Sequence, residues 1–244
     1  MDTLESIHQK TRNAYNLAAE KYHSLFHNEL NEKEYDRKLL DNFAAKFIPG
    51  SLICDAGCGP SALMGRYLFD KGMKVIGVDI SDRCIEMATD FNPGMQFSCE
   101  DIANMSFDQG SFDGIISYYS IIHTPKRFLN KIFDELNRIL KPEGYLLVAV
   151  KAGEDESFLS ELLGIKTEIY FSLFAEDEIK AYLRTAGFRI ELLEKRNPYD
   201  FEIKNERIFA VGRKITTLAK VRNLRKGQSR GISYEERKLR ISGH

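Results

Sequence analysis

The chain has 244 residues and an almost balanced charge, with 35 basic and 36 acidic side chains. Its hydrophobic fraction of 43% can fill a sizeable core, which excludes a wholly disordered chain. No apolar run reaches the roughly 18–20 residues that span a bilayer, and no secretory signal pattern is seen at the start. The four cysteines form no CxxC pair. The sequence therefore predicts a cytoplasmic protein with reduced thiols and no metal site.

The balanced total hides an uneven distribution of charge. Residues 214–244 carry nine basic and two acidic side chains, a local charge of +7. Residues 1–213 carry 26 basic and 34 acidic side chains, a local charge of −8. Such asymmetry is typical of a segment that contacts a partner. We therefore interpret residues 214–244 as a basic C-terminal extension.

The N-terminal part of the chain has helical periodicity. Apolar side chains recur at spacings of three and four over residues 3–47, and Pro49-Gly50 ends this pattern. We interpret residues 1–48 as a helical cap that precedes the main domain.

Residues 49–213 alternate between short apolar runs and amphipathic stretches. Alternation of this kind predicts a parallel sheet with helices on both faces. The predicted strands are 51–54, 74–78, 95–99, 112–117 and 145–150, and the predicted helices are 63–70, 82–90 and 125–140.

The pattern changes after residue 151. Residues 152–175 mix glycines, acids and aromatics, and we interpret them as a substrate-side insertion. A helix over 176–186 then precedes two apolar stretches, 188–193 and 206–211, which predict an antiparallel hairpin. The expected fold is a Rossmann-like, doubly wound, seven-stranded and mainly parallel sheet with an antiparallel C-terminal hairpin.

A glycine-rich loop gives the sharpest local signal. Asp55-Ala56-Gly57-Cys58-Gly59-Pro60 follows the first predicted strand and precedes a helix. Asp79 closes the next strand, where a carboxylate can accept both ribose hydroxyls. This arrangement predicts an adenosine-containing ligand.

The same loop distinguishes two such ligands. The dinucleotide fingerprint G-x-G-x-x-G requires a third glycine, but Pro60-Ser61-Ala62 follows Gly59. Asp55 would also repel a pyrophosphate, whereas it would attract the ammonium of a sulfonium amino acid. The loop therefore favours S-adenosylmethionine over NAD.

Several motifs in order carry a family resemblance. Asp55-Ala-Gly-Cys-Gly59 resembles the first motif of the class I S-adenosylmethionine-dependent methyltransferases, and Val78-Asp79-Ile80-Ser81 resembles the second. Glu100-Asp101-Ile102 and the segment 138–148 are similar to later regions of that family. The resemblance covers residues 51–150 and departs from the family at Ser61, where many members carry glycine.

The resemblance implies roles for individual residues. The amino-acid end of the cofactor would lie against Asp55 and the loop backbone, and the ribose against Asp79. Asp101 would accept from the adenine amino group, and Ser117 would lie under the cofactor. The full set of expected cofactor-binding residues is Tyr15, Tyr22, Asp55, Ala56, Gly57, Cys58, Gly59, Asp79, Ile80, Asp101, Ile102 and Ser117.

The expected acceptor side lies after the fourth core strand. His123 is the candidate general base or substrate contact, because its ordinary pKa lies near neutrality. Tyr118 and Tyr119 are candidate substrate-binding residues beside it. Tyr15 and Tyr22 stand seven apart on one helical face and are candidate lid residues, although that spacing is also common in cores.

Three functions remain open at this stage. The first is methyl transfer from S-adenosylmethionine to O or N of a small molecule, with S-adenosylhomocysteine as the product. The second is methylation of RNA or another macromolecule, with residues 214–244 as the anchor. The third is a partner protein that binds the cofactor without catalysis. The acidic body favours the first, and the sequence does not indicate the substrate or the oligomeric state.

Overall fold

A computed structural model of the protein describes residues 2–215 and confirms the predicted sheet. The strands are β1 Leu52–Ala56, β2 Lys74–Asp79, β3 Gln96–Cys99, β4 Phe112–Tyr118, β5 Leu140–Lys151, β6 Glu156–Leu162, β7 Ile165–Ser172, β8 Phe188–Arg196 and β9 Arg207–Lys214. Seven of them form one sheet in the order β3-β2-β1-β4-β5-β9-β8.

The pairing divides this sheet into two parts. Strands β1 to β5 pair in parallel, whereas β9 is antiparallel to both β5 and β8. Parallel neighbours need crossover connections, which the helices between them provide. The carboxyl ends of β1, β2, β3, β4 and β5 therefore meet at one edge, where ligands of open α/β sheets bind.

The helices are α1 Leu4–Phe26, α2 Glu34–Ala44, α3 Leu63–Asp70, α4 Asp82–Phe91, α5 Leu129–Ile139 and α6 Glu176–Thr185. Side-chain caps fix two of their starts, because the Thr3 hydroxyl accepts from the Ser6 amide and the Ser81 hydroxyl accepts from the Cys84 amide.

The core has one layer on each face of the sheet. One layer is formed by α5 and α6, whose fully buried side chains include Phe133 and Leu183. The other is formed by α2 and α3, which bury Phe43 and Leu68 against the opposite face. Helix α5 buries a single stripe, which explains the strong periodicity of its sequence.

The structure refines two predictions of helices. The helical region 3–47 is two helices separated by a short 3₁₀ turn at Glu29–Asn31. The helix predicted over 125–140 begins at Leu129, after another 3₁₀ turn. Both irregularities are only one or two turns long. Hydrophobic periodicity does not locate helix ends and breaks of that length.

The interval between β5 and α6 contains a second sheet. Strands β6 and β7 form an antiparallel hairpin within residues 152–175, which the sequence presented only as an insertion. Leu163 and Gly164 join the strands with φ angles of 53° and 74°, the left-handed pair that a tight hairpin turn needs. Helix α1 packs against β7, so the hairpin supports the N-terminal helix.

Two expectations lie at the limits of the described residues. Among residues 2–215, no helix combines the length and apolar character needed to cross a membrane. The predicted basic extension 214–244 lies outside the described part of the chain except for its first two residues. The boundaries of the cap, core and extension stay predictions.

Candidate active site

A deep cavity opens at the carboxyl edge of the parallel strands, beneath α1. Its empty space, including the part of the mouth that is open to solvent, is about 970 Å³. The predicted residues that line it are Tyr15, Tyr22, Asp55, Gly57, Cys58, Gly59, Asp79, Ile80, Asp101, Ile102, Tyr118, Tyr119 and His123. The structure thus brings most of the predicted site residues to one place.

The glycine loop is a backbone turn over the end of β2. The amides of Gly57 and Cys58 both donate to the Val78 carbonyl, at 2.7 and 2.9 Å. Gly57 and Gly59 have φ angles of +86° and +64°, which L side chains rarely adopt. A Cβ on Gly57 would come within 2.1 Å of the Ser120 Cβ, whereas a Cβ on Gly59 would meet nothing within 4 Å. Glycine is therefore required at 57 by both conformation and space.

Asp55 is buried at the end of β1, facing the start of α3. Its Oδ2 accepts a hydrogen bond from the Gly65 amide at 2.9 Å. Burial raises the pKa of this carboxyl to about 7, although the Gly65 hydrogen bond acts in the opposite direction. A cation placed beside Asp55 would therefore stabilise its ionised form.

Asp79 is held by two backbone amides at the end of β2. Its Oδ2 accepts from Gly59 and its Oδ1 from Ser81, each at 2.9 Å. Burial raises the pKa of Asp79, and the hydrogen bonds that it accepts oppose this rise. Each oxygen retains acceptor capacity toward the cavity, which suits a diol such as a ribose.

Asp101 lies beyond β3 and contacts helix α1. Its Oδ2 is 2.7 Å from His8 Nδ1, and its Oδ1 accepts from the Ala103 amide at 2.8 Å. Burial on its own would raise the pKa of Asp101, but the His8 contact lowers it overall. The side chains of Ile80 and Ile102 add apolar surface to the same part of the cavity.

Helix α1 covers the cavity through contacts with the loops below it. Arg12 Nε donates to the Ile80 carbonyl at 2.9 Å, and Asn16 lies 2.6 Å from the Ser81 hydroxyl. The rings of Tyr15 and Tyr22 have centroids 5.9 Å apart and both line the cavity. The two tyrosines therefore contribute to the cavity from α1, and their role as a lid stays a prediction.

His123 joins the helix α1 lid to the β6–β7 hairpin. Its Nδ1 lies 2.9 Å from the Tyr170 carbonyl, so Nδ1 carries the proton and Nε2 accepts from the Tyr15 hydroxyl at 2.8 Å. Burial lowers the pKa of His123 to about 4, and the Tyr170 hydrogen bond only partly offsets this. The imidazole is therefore neutral near pH 7.

Two predicted cofactor residues are placed away from the cavity lining. Ala56 is fully buried at the end of β1. Ser117 is also fully buried, and its hydroxyl shares a 2.7 Å hydrogen bond with that of Ser120, which does line the cavity. Ser117 sits inside β4, whereas Ser120 follows the strand end.

Sequence reasoning missed several lining residues on and after α1. His8 and the two predicted tyrosines recur at intervals of seven residues, a spacing that places them on one side of α1, and Glu29 follows at the same interval in the 3₁₀ turn after that helix. Seen as a set, this repeat would have indicated a lid surface longer than two tyrosines. The missed lining residues are His8, Thr11, Phe26, Glu29, Ser61, Leu63, Met64, Ser120 and Thr124.

Comparisons with known proteins agree with this geometry. Residues 54–148 match the family model described as "Methyltransferase domain". These residues form a methyltransferase domain, in agreement with the predicted resemblance to the class I S-adenosylmethionine-dependent methyltransferases. The solved structure of magnesium protoporphyrin IX methyltransferase from Synechocystis, with bound SAM, is similar to this chain with a TM-score of 0.66 and 17% identity. That likeness covers 88% of this chain and all of the other, and it shows the shared fold.

Two curated relatives of this chain are named for different substrates. The 2-methyl-6-phytyl-1,4-hydroquinone methyltransferase of Synechocystis is 34% identical over 104 residues, which are 41% of this chain and 32% of that protein. The probable tRNA methyltransferase 9B of Homo sapiens is 30% identical over 181 residues, which are 71% of this chain and 37% of that protein. The chain thus spans about a third of the length of these two relatives.

Proposed function

We propose that the chain transfers a methyl group from S-adenosylmethionine to an oxygen or nitrogen of a small molecule, leaving S-adenosylhomocysteine. One observation carries this proposal: Asp55, Asp79, Asp101 and the glycine loop line a single cavity beneath α1. The bound cofactor would supply an electrophilic methyl group on a sulfonium sulfur. A cytoplasmic location, consistent with the free thiols of all four cysteines, belongs to the same proposal.

The residues in the cavity fit this cofactor. Asp79, already fixed by two amides, would accept the ribose hydroxyls. Asp55 would face the ammonium, and the open space beside Gly59 would admit the amino-acid end. Asp101 would accept from the adenine amino group, with Ile80 and Ile102 on the ring faces. Each role matches the acceptor or apolar character of the side chain.

The protein would accelerate the reaction mainly by alignment. Holding nucleophile and methyl group in line can lower a barrier by roughly 7–11 kcal/mol at best. Tyr15 and Tyr22 would exclude water from the reacting centre. His123 is a weak proton acceptor at neutral pH, because burial lowers its pKa to about 4. We therefore assign it the positioning of Tyr15 rather than removal of a proton.

RNA methylation is the second candidate. It is supported by the similarity to a probable tRNA methyltransferase and by the local +7 charge of residues 214–244. RNA binding by the full chain that weakens steeply with salt, and that disappears on deletion of residues 216–244, would favour it over the small-molecule function. Tight cofactor binding without turnover on broad acceptor panels would instead favour a non-catalytic partner protein.

The Asp79→Ala variant tests cofactor binding. We expect its affinity for S-adenosylmethionine to fall at least about 100-fold, since two hydrogen bonds to a charged acceptor are lost. Isothermal titration calorimetry on wild type and variant measures this directly. Asp70→Ala removes an exposed carboxylate that pairs with Arg66 and should bind like wild type. Failure of the folded wild type to bind the cofactor would refute the proposed function.

Cofactor binding should also depend on pH through Asp55. In the protein without cofactor, the Asp55 carboxyl has a pKa of about 7. It must lose its proton before it can pair with the ammonium of the cofactor. Affinity should therefore fall about fivefold from pH 7 to pH 6, with a proton released on binding. Above pH 8 it should fall again, as the cofactor amine loses its charge.

Calorimetry at both pH values, in buffers of different ionisation enthalpy, measures the affinity and the released proton together. Asp55→Asn should bind weakly and show no slope between pH 6 and pH 7. An unchanged wild-type affinity over that interval would show that Asp55 does not face the ammonium.

A further inference from the structure

Lys151 is a half-buried cation at the carboxyl end of β5. Within residues 2–215 its ammonium has no hydrogen bond or ion pair, and its nearest ring is that of Phe171, with the centroid 5.1 Å away. Burial, with the charges of Arg207 and Lys33, lowers the pKa of Lys151 to about 8, and the charges of Glu29 and Glu202 oppose this shift. The amine is still mostly protonated at pH 7. Burying a cation without an acidic partner costs free energy. We therefore expect a bound ligand to supply the missing negative charge.

The Tyr119 hydroxyl is a second polar group without a hydrogen-bond partner among residues 2–215, and Tyr119 lies one residue beyond β4. Its φ angle of +56° is rare for an aromatic residue, although its amide is fixed by the Ala149 carbonyl at 2.9 Å. Its side chain lines the cavity, and its buried hydroxyl finds no hydrogen-bond partner within the described chain. Burial raises the pKa of this hydroxyl well above the usual range, so it remains a donor.

The fold brings these two residues to the same end of the sheet. Strands β4 and β5 are parallel neighbours, and Tyr118 is opposite Ala149, so Tyr119 and Lys151 follow the same register position. Lys33 lies 5.9 Å from the centre of the Tyr119 ring, and Arg207 is opposite Lys151 on β9. Tyr119 therefore lines the cavity, and Lys151 follows the neighbouring strand at the same edge of the sheet.

The charged side chains near Lys151 and Tyr119 include one cation without an ion-pair partner among residues 2–215. The acids are already engaged: Glu29 pairs with Lys33, Asp36 with Arg196, and Glu202 with several cations. Besides Lys151 itself, the charged groups that act on Lys151 or on Tyr119 are the cations Lys33, Arg196 and Arg207 and the acids Glu29, Asp36 and Glu202. Lys151 is the member of this set that lacks a counter-charge among residues 2–215.

We propose that Lys151 and Tyr119 bind an oxyanion of the methyl acceptor, a carboxylate or a phosphate. The anion would supply the counter-charge for the Lys151 ammonium and the hydrogen-bond acceptor for the Tyr119 hydroxyl. Residues 2–215 supply neither. Like-charge repulsion at Lys151 disfavours a cationic group at the same point. This assignment rests on the proposed methyl transfer and narrows its substrate to small anionic acceptors.

Direct anion titration tests the subsite. Inorganic phosphate and sodium acetate are titrated into protein saturated with S-adenosylhomocysteine, at constant ionic strength set by chloride, and binding is followed by calorimetry. At least one anion should bind wild type, and its dissociation constant should rise about tenfold or more in Lys151→Met and severalfold in Tyr119→Phe. Lys74→Met, which removes an exposed lysine at the start of β2, should bind like wild type.

Urea denaturation separates a binding defect from unfolding. Lys151→Met and Tyr119→Phe each remove a polar group that lacks a partner, so both should unfold at a urea concentration no lower than wild type does. Lost anion binding in a variant of normal stability therefore supports the subsite.

The outcomes also identify the anion. They distinguish an error in the anion subsite from an error in the proposed methyl transfer. Binding of phosphate alone indicates a phosphorylated acceptor, and binding of acetate alone a carboxylate. Equal affinities in wild type and Lys151→Met, or no binding of either anion, would overturn the subsite. Failure of the protein to bind S-adenosylhomocysteine would count against the methyltransferase function, and the titration repeated without it would still decide the anion subsite.

Discussion

Gly57→Ala is expected to lower the free energy of unfolding by about 2–5 kcal/mol and to abolish cofactor binding. The backbone conformation at φ +86° costs an L residue about 1–2 kcal/mol. The new Cβ would also lie 2.1 Å from the Ser120 Cβ, which forces a shift typically costing 1–3 kcal/mol. That shift moves the loop backbone away from the cavity. Urea denaturation and calorimetric titration with S-adenosylmethionine measure the two effects.

Gly59→Ala is the matched control for this substitution. Gly59 has a similar φ of +64°, but its added Cβ meets nothing within 4 Å. Its stability loss should therefore contain only the conformational cost of about 1–2 kcal/mol. The double variant Gly57→Ala with Ser120→Gly removes the clash and should be more stable than Gly57→Ala, although it also loses the hydrogen bond between Ser117 and Ser120. Equal losses for the two single variants would show that the close approach to Ser120 does not constrain the loop.

The sheet could be predicted because its signals are local. Apolar runs such as 145–150 mark strands buried on both faces, and the α5 stripe repeats at helical spacing. The hairpin of β6 and β7 was missed because most of its residues are partly or fully exposed, so no alternation of buried and exposed positions stands out. Only Gly164, at the turn, gave a local sign of it.

The cofactor half of the site could be predicted better than the acceptor half. Asp55, Gly57 and Asp79 lie at strand ends whose positions follow from the sheet. The environment of His123 depends on the Tyr170 carbonyl of β7 and the Tyr15 hydroxyl of α1, both distant in sequence. His123, which the sequence presents as a candidate base, is therefore buried and uncharged near pH 7.

The buried charges at the end of the sheet have the same long-range origin. Asp36, in α2, accepts from the Tyr118 hydroxyl of β4 and pairs with Arg196 at the end of β8. Asp36 is fully buried and Arg196 is about 10% exposed along its side chain. No local pattern in α2 distinguishes Asp36 from a solvated acid. One side chain therefore links three elements around the acceptor side of the cavity.

Asp36→Ala is expected to cost about 3–5 kcal/mol of stability, because it leaves a buried cation short of one partner and a buried hydroxyl without an acceptor. Tyr118 lines the cavity, so the same substitution should loosen that wall as well. Asp36→Asn keeps an acceptor for the Tyr118 hydroxyl and should cost less. Urea denaturation of both variants measures the difference.

The matched control comes from the same helix. Glu34 pairs with Lys38 in α2, but both side chains are about 70% exposed, so water screens the pair and Glu34→Ala should unfold like wild type. An Asp36→Ala midpoint equal to that of Glu34→Ala would mean that the buried pair does not secure α2 to the sheet. A large loss confined to Asp36 would instead show that burial, and not charge pairing as such, determines how much an ion pair contributes to this fold.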